Sequence, residues 1–138
     1  IDSMIGYKNE MFGNLGWFGA NCDNVLNYIP SRLTGLIMVL ASMLLGNDWK
    51  QSYQILKKHS GNTSSPNAGY PMAALAGALD TKFQKLDHYR IGNGSVYLST
   101  THVRSAIVLM KVTTILFFGI VTIPIITVLS YLGLTILA

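Results

Sequence analysis

Apolar and polar positions divide the chain into four stretches. Residues 1–32 mix acids, amides and bases with aromatics, and Gly6, Gly13, Gly16 and Gly19 interrupt them, so any helix before about Ala20 is predicted to be short or irregular. From Asn21 the spacing turns helical: Asp23 and Asn27 stand four apart, on one face of a helix predicted to end near Pro30. Residues 33–46 form an uncharged hydrophobic run. As a helix it rises roughly 21 Å, short of a hydrocarbon layer about 30 Å thick. It therefore extends back through Ile29, crosses obliquely within a bundle, or dips and returns. A full crossing puts the opening stretch and the loop around Asn67 on opposite faces, whereas a shallow helix puts them together.

Residues 47–111 are polar and basic around a loop of unusual composition. Asp48 is the predicted N-cap of a helix through Trp49, Tyr53, Leu56 and Lys57, whose aromatics and lysines suit a membrane interface. Pro66 and Gly69 then punctuate a turn, and Pro71 falls in a first helical turn, where a missing N–H costs little. The helix that follows carries Ala73, Ala74, Gly77 and Ala78, small enough for another backbone to approach closely. Its start offers N–H donors to an anion, although a tight loop entering a packed helix accounts for the same residues without a ligand. Residues 80–87 are polar and predicted to be exposed. Residues 88–91 and 95–98, joined through Gly92-Asn93-Gly94, predict a small β-hairpin. Ser99 or Thr100 caps a last helix in which Val103, Ala106, Ile107 and Met110 keep the helical period. Residues 112–138 contain no charge, and at about 40 Å are predicted to be a transmembrane helix. Pro124 is expected to kink or divide it, with Thr122 or a neighbouring helix satisfying the freed carbonyl.

Composition sharpens this picture. Half of the residues are hydrophobic and 12% are charged, and the mean hydropathy is +0.38, which is a membrane-protein balance. The expected fold is mainly α, an integral membrane helical protein with a polar cytoplasmic loop region and a small β-hairpin. The chain opens on Ile1 with no targeting pattern behind it, so the numbering is expected to begin inside a longer polypeptide. Of the charged residues, eight basic and three acidic ones lie in 47–111, which by the positive-inside tendency places that region in the cytoplasm of a multi-pass cell-membrane protein. No recognition helix or aromatic-basic stacking platform accompanies these charges, so nucleic acid is not an expected partner. Cys22 is alone, which excludes an internal disulfide and a cysteine zinc site. Asn62-Thr63-Ser64 and Asn93-Gly94-Ser95 match a glycosylation sequon too short to carry weight in a cytoplasmic loop. His59, His88 and His102 show no metal-ligand spacing, and Gly92-x-Gly94 lacks the context of a dinucleotide fingerprint. What remains is two polar regions beside membrane segments. Together they are suited to a phosphorylated or carboxylated substrate near a divalent cation.

Three stretches carry a family likeness. Asp2-Ser3-Met4-Ile5-Gly6-Tyr7-Lys8-Asn9-Glu10, then residues 23–34 beginning Asp23-Asn24-Val25-Leu26-Asn27-Tyr28, then Ser65-Pro66-Asn67-Ala68-Gly69-Tyr70-Pro71, occur in the order of the adenosylcobinamide-phosphate synthase signatures. The chain resembles the carboxy-terminal half of this family, known as CbiB or CobD, membrane proteins of cobalamin biosynthesis. The resemblance implies that residues 1–138 are one portion of a single membrane domain whose amino-terminal half is the missing partner. Its sub-regions are a polar motif region 1–32, a short hydrophobic helix 33–46, a basic loop region 47–111 and a transmembrane helix 112–138. It also implies an ATP-dependent, Mg2+-assisted ligation joining a propionate carboxylate of adenosylcobyric acid to the amine of (R)-1-amino-2-propanol phosphate or a related amino alcohol.

By matching position, the resemblance places Lys8, Glu10, Asp23 and Asn67 in the catalytic set. Asp2, Asn9, Asn27, Arg32, Ser65 and Gly69 are placed in the binding set. Glu10 and Asp23 are assigned to Mg2+ or the amine, Lys8 and Arg32 to phosphate, and Asn67 with the helix start to a phosphate or acyl oxygen. The chain departs from the family pattern at Asn24, where a second acid is usual, at Asn21-Cys22, where Arg-Leu is usual, and at Met72, often an acid. Asn24 removes a charge from a paired-carboxylate metal site. A related membrane family associated with signalling in β-lactamase induction supplies the alternative, a non-catalytic sensor or partner protein on the same scaffold. The intact Ser65–Gly69 loop and Tyr7-Lys8-Asn9 favour the synthase. A purely structural membrane scaffold is the third reading.

Overall fold

The computed structural model describes residues 13–86, 88–94 and 98–137, with side chains described from 17 to 133. The fold is mostly helical with one two-stranded antiparallel sheet. Helix α1 spans Gly13–Leu26 and α2 spans Tyr28–Leu44, with a bend of 42° between them. Two expectations are corrected here. The helix begins at Gly13 rather than near Ala20, because isolated glycines weaken a helix without forbidding it. It also stops at Leu26, one turn before Pro30. Pro30 has no N–H to give the Leu26 carbonyl and its ring crowds that oxygen, so the ladder fails four residues upstream of the proline. Pro30 itself sits in the first turn of α2, where its N–H would have had no partner.

Helix α2 thus starts just before Ile29, the backward extension expected of the hydrophobic run. Helix α3, Trp49–His59, starts at Asp48 as expected, the carboxylate accepting the Gln51 N–H at 2.9 Å. It doubles back along α2, so that Leu56 reaches Gly35, midway along α2. Helix α4, Gly69–Ala78, packs on both. A Cβ at Gly77 would stand 2.6 Å from the Ser52 Cα, so this glycine permits α3 and α4 to touch backbone to backbone. The buried Ser52 hydroxyl closes the contact by donating to the Ala74 carbonyl at 2.8 Å.

The sheet pairs β1, Phe83–Lys85, with β2, Tyr89–Ile91, in the register Phe83↔Ile91 and Lys85↔Tyr89. The expected hairpin therefore used the right strand at 89–91 with the wrong neighbour. The strands are closed by the His88 N–H donating to the Lys85 carbonyl at 3.1 Å, and Gly92, at φ +90°, leads the chain away. Residues 95–97 of the expected second strand lie outside the described residues. Ile91 is fully buried among Ile55, Ala73 and Ala76, and Phe83 packs on the same cluster. That apolar anchorage selects 83–85 over the polar surface strip expected at 80–87.

Ser99 caps helix α5, Thr100–Phe117, in a reciprocal box with His102. A π turn, Phe118–Thr122, follows, and then helix α6, Ile123–Leu137. Pro124 is again the cause: Ile120, four residues before it, is the centre of the widened turn, and the Ile123 N–H bonds the Phe118 carbonyl instead. Thr113 and Thr114 return their hydroxyls to the Leu109 and Met110 carbonyls.

Helix α5 runs antiparallel to α2. Thr34 shares a groove with Phe117, Phe118 and Thr122, whereas Leu45 and Asn47 meet Arg104, Ser105 and Val108. Met38, Ala41, Leu56, Ala74, Ala78 and Leu109 form the core between α2, α3, α4 and α5. Among the described residues, 100–133 form one helix long and apolar enough to cross a membrane, with a mean hydropathy of 2.4 over its best window and 6% of that window buried, and the bent pair α1–α2, counted as one span, passes the same test.

Candidate functional site

The break between α1 and α2 and the turn before α4 meet at one end of the helical domain, and Asn67 joins them. Its Nδ2 donates to the Asn24 carbonyl at 2.9 Å. That carbonyl belongs to the last turn of α1, where the broken ladder leaves acceptors open. Its Oδ1 accepts from Arg32 Nη1 at 3.2 Å and from the Ser31 hydroxyl at 3.4 Å. Asn67 is 7% exposed, so its amide is committed to holding the two segments together. Asn24, Ser31 and Arg32 and the loop around Asn67 thus lie together, because α3 returns the chain toward the start of α2.

Arg32 is the cation of this cluster. Nη1 also donates to the Tyr28 carbonyl at 2.7 Å, and the guanidinium lies between the Tyr28 ring, 3.3 Å from its centroid, and the Tyr70 ring, 4.3 Å away. Two π faces and three oxygen acceptors, the Ser31 hydroxyl at 3.4 Å being the third, fix its plane. Among the described residues no carboxylate pairs with it, and no acceptor meets Nε or Nη2. A half-buried, oriented guanidinium with donors to spare is suited to an anionic oxygen, and a bidentate one above all.

The remaining expected residues separate into groups. Asp23 and Asn27 share a helical face as expected, Asn27 Nδ2 donating to Asp23 Oδ1 at 3.0 Å, on the exposed side of the break. Ser65 turns inward: its hydroxyl accepts from the Asn67 and Ala68 N–H groups, each at 3.4 Å, and so shapes the loop. It thereby occupies donors at the start of α4 that were expected to face an anion. Gly69 presses on the Ser60 carbonyl, where any Cβ would collide, which gives that glycine a packing reason independent of a ligand. Asp2, Lys8, Asn9 and Glu10 lie outside the described residues. Among the described residues no three His, Cys, Asp or Glu side chains gather.

Sequence reasoning passed over Tyr28, Tyr70 and Ser31. The i, i+4 spacing of Tyr28 and Arg32 was a legible signal for an arginine stacked on an aromatic. Tyr70 reaches Arg32 only through the tertiary fold.

These features define a helical protein with one long, exposed apolar helix and a polar cluster at a helix break. Residues 1–115 match the family described as CobD/Cbib protein, and the chain belongs to that family. It is 43% identical over 117 residues to the probable cobalamin biosynthesis protein CobD of Methanothermobacter thermautotrophicus, covering 85% of this chain and 39% of the relative. It is 44% identical over 88 residues to cobalamin biosynthesis protein CobD of Clostridium perfringens, 64% of this chain and 28% of the relative. The corresponding protein of Geobacter metallireducens is 49% identical over 79 residues, 57% of this chain and 25% of the relative. The chain thus spans no more than about two fifths of the length of these relatives. No solved structure matches it.

Proposed function

We propose that this chain is part of an adenosylcobinamide-phosphate synthase, and that the Arg32 cluster recognises the phosphate of the amino-alcohol substrate. The reaction joins a carboxylate of a corrinoid, adenosylcobyric acid, to the amine of (R)-1-amino-2-propanol phosphate or a related amino alcohol. The observation that carries this reading is Arg32, stacked between two tyrosines, pinned by Asn67 and without a carboxylate partner among the described residues. An arginine held this way exchanges little conformational freedom for ligand contacts, which favours tight capture of a phosphate.

Asp23 carries the nearby negative charge. With Glu10 it is assigned to the substrate amine, where a carboxylate holds an ammonium and accepts its proton before attack. ATP, when bound, supplies the activation of the carboxylate. The described residues do not by themselves fit Mg2+. Among the described residues the Asp23 carboxylate meets Asn27, whose amide turns a nitrogen toward it, and this pair does not make an oxygen cage for a cation.

The proposed setting is the cell membrane, with the helix over 100–133 as a span and the basic region 47–111 on the cytoplasmic side. A helix of that hydropathy in the core of a soluble domain would be mostly buried, and this one is 6% buried. The rest of the polypeptide is the remaining proposed partner.

The test is complementation of a cobinamide-requiring strain by the full-length gene, wild type against Arg32→Ala. Growth with the wild type and its loss with the variant at equal membrane abundance are expected. Failure of the wild type to complement would favour the sensor or partner-protein reading.

A further inference from the structure

The geometry points to the π turn Phe118–Thr122 as the place where the protein meets the membrane surface, with Lys57 and Lys58 facing anionic lipid headgroups. This rests on the membrane reading above and adds the level at which the bilayer begins. The uncharged run starts at Val112, so sequence alone puts the boundary at Lys111. The packing puts it two turns later. Leu109 and Thr113 are buried against the domain, 0% and 4% exposed. From residue 123 to 133 every position is exposed, and among the described residues the element packed on α6 is the π turn before it. The π turn and α6 are 5 and 15 residues long. Together they rise roughly 30 Å, the thickness of a hydrocarbon layer. The part of the helix that leaves the domain is therefore the part that fits the bilayer.

Charge agrees with that level. Because α3 doubles back along α2, Leu56, next to Lys57 and Lys58 in its last turn, meets Gly35, whose neighbour Thr34 lines the groove with Phe117, Phe118 and Thr122. Lys57 and Lys58 are exposed there and form no ion pair among the described residues. Exposed apolar side chains stand at this end as they do at the other: Val25, Leu26 and Ile29, at the α1–α2 break, are 74%, 74% and 66% exposed, and Leu44 and Val103 are 61% and 53% exposed. Lysines beside exposed apolar side chains, next to a helix of bilayer length, suit an anionic lipid surface. The Arg32–Asn67 cluster, at that same end, then opens at the headgroup level.

The test uses the full-length protein, without other cysteines, in vesicles of phosphatidylethanolamine and phosphatidylglycerol. Single spin labels at Met110, Thr114, Phe118, Thr122, Ile126 and Ser130 are relaxed by oxygen, which concentrates in lipid, and by a water-soluble nickel complex. The expected crossover from water to lipid falls between Thr114 and Thr122. Lipid exposure beginning at or before Thr114 would overturn the inference while leaving the membrane reading intact. Labels at Ile126 and Ser130 reached by the nickel complex would overturn both. Labels there reached by neither relaxant would place protein, rather than lipid, around the helix and overturn the inference. A fluorophore at Lys58→Cys is expected to be quenched by headgroup-labelled phosphatidylglycerol at least about twofold more than one at Lys50→Cys, about 12 Å further along α3. Equal quenching would contradict the headgroup contact.

Discussion

Two side chains carry most of the account, and they do different work. Asn67 satisfies the carbonyl that the α1–α2 break leaves open and orients Arg32, so it is a positioning residue. Its replacement by alanine leaves the Asn24 carbonyl without this donor and takes one oxygen acceptor from Arg32, at a cost of about 1–3 kcal/mol, and thermal unfolding of the full-length protein should show the loss. Asn67→Asp keeps an acceptor but places a carboxylate on Arg32. The resulting ion pair competes with substrate phosphate, so the KM for the amino-alcohol phosphate should rise, while the other carboxylate oxygen, set against the Asn24 carbonyl that Nδ2 satisfied, costs stability as well. Arg32 and Asn67 were both legible in the sequence as members of family motifs. The role of Asn67 was not, because a bond to a backbone carbonyl far along the chain leaves no local pattern.

At the scale of elements, three prolines and one glycine explain most of the architecture. Pro30 and Pro124 each act four residues upstream, once as a break at Asn27 and once as a π turn, while Pro71 enters the first turn of α4 without disturbing it. The sequence showed where Pro124 would act but misplaced the end of α1, since the proline was read as the end of the helix it follows. Gly77 sets the α3–α4 distance. Gly77→Ala brings a methyl to 2.6 Å from Ser52 Cα and must part the helices, a destabilisation of about 1–3 kcal/mol visible as a lowered Tm. Asp48→Ala removes only the N-cap of α3 and should cost about 1 kcal/mol with unchanged catalysis. The hairpin was misread because Phe83 and Ile91 are chosen by a shared apolar pocket, while the glycine turn at 92–94 looks locally like a better bend.

On the scale of the molecule, the chain folds as a helical domain with its polar cluster at one end and an apolar helix leaving from that same end. The long apolar helix was legible in the uncharged run. The relative level of the cluster and that helix was not, since it depends on α2 and α5 being antiparallel. Function follows if the oriented guanidinium binds phosphate. The most direct measurement is the KM for (R)-1-amino-2-propanol phosphate in adenosylcobinamide-phosphate synthesis by the full-length enzyme, wild type against Arg32→Lys, with Asp48→Ala as a control. Lysine keeps the charge but loses the planar fork and the double stacking. A charge-assisted contact of about 1.5–3 kcal/mol predicts a KM raised roughly tenfold to a hundredfold in Arg32→Lys and unchanged in the control. An Arg32→Lys enzyme with wild-type KM and turnover would contradict the account.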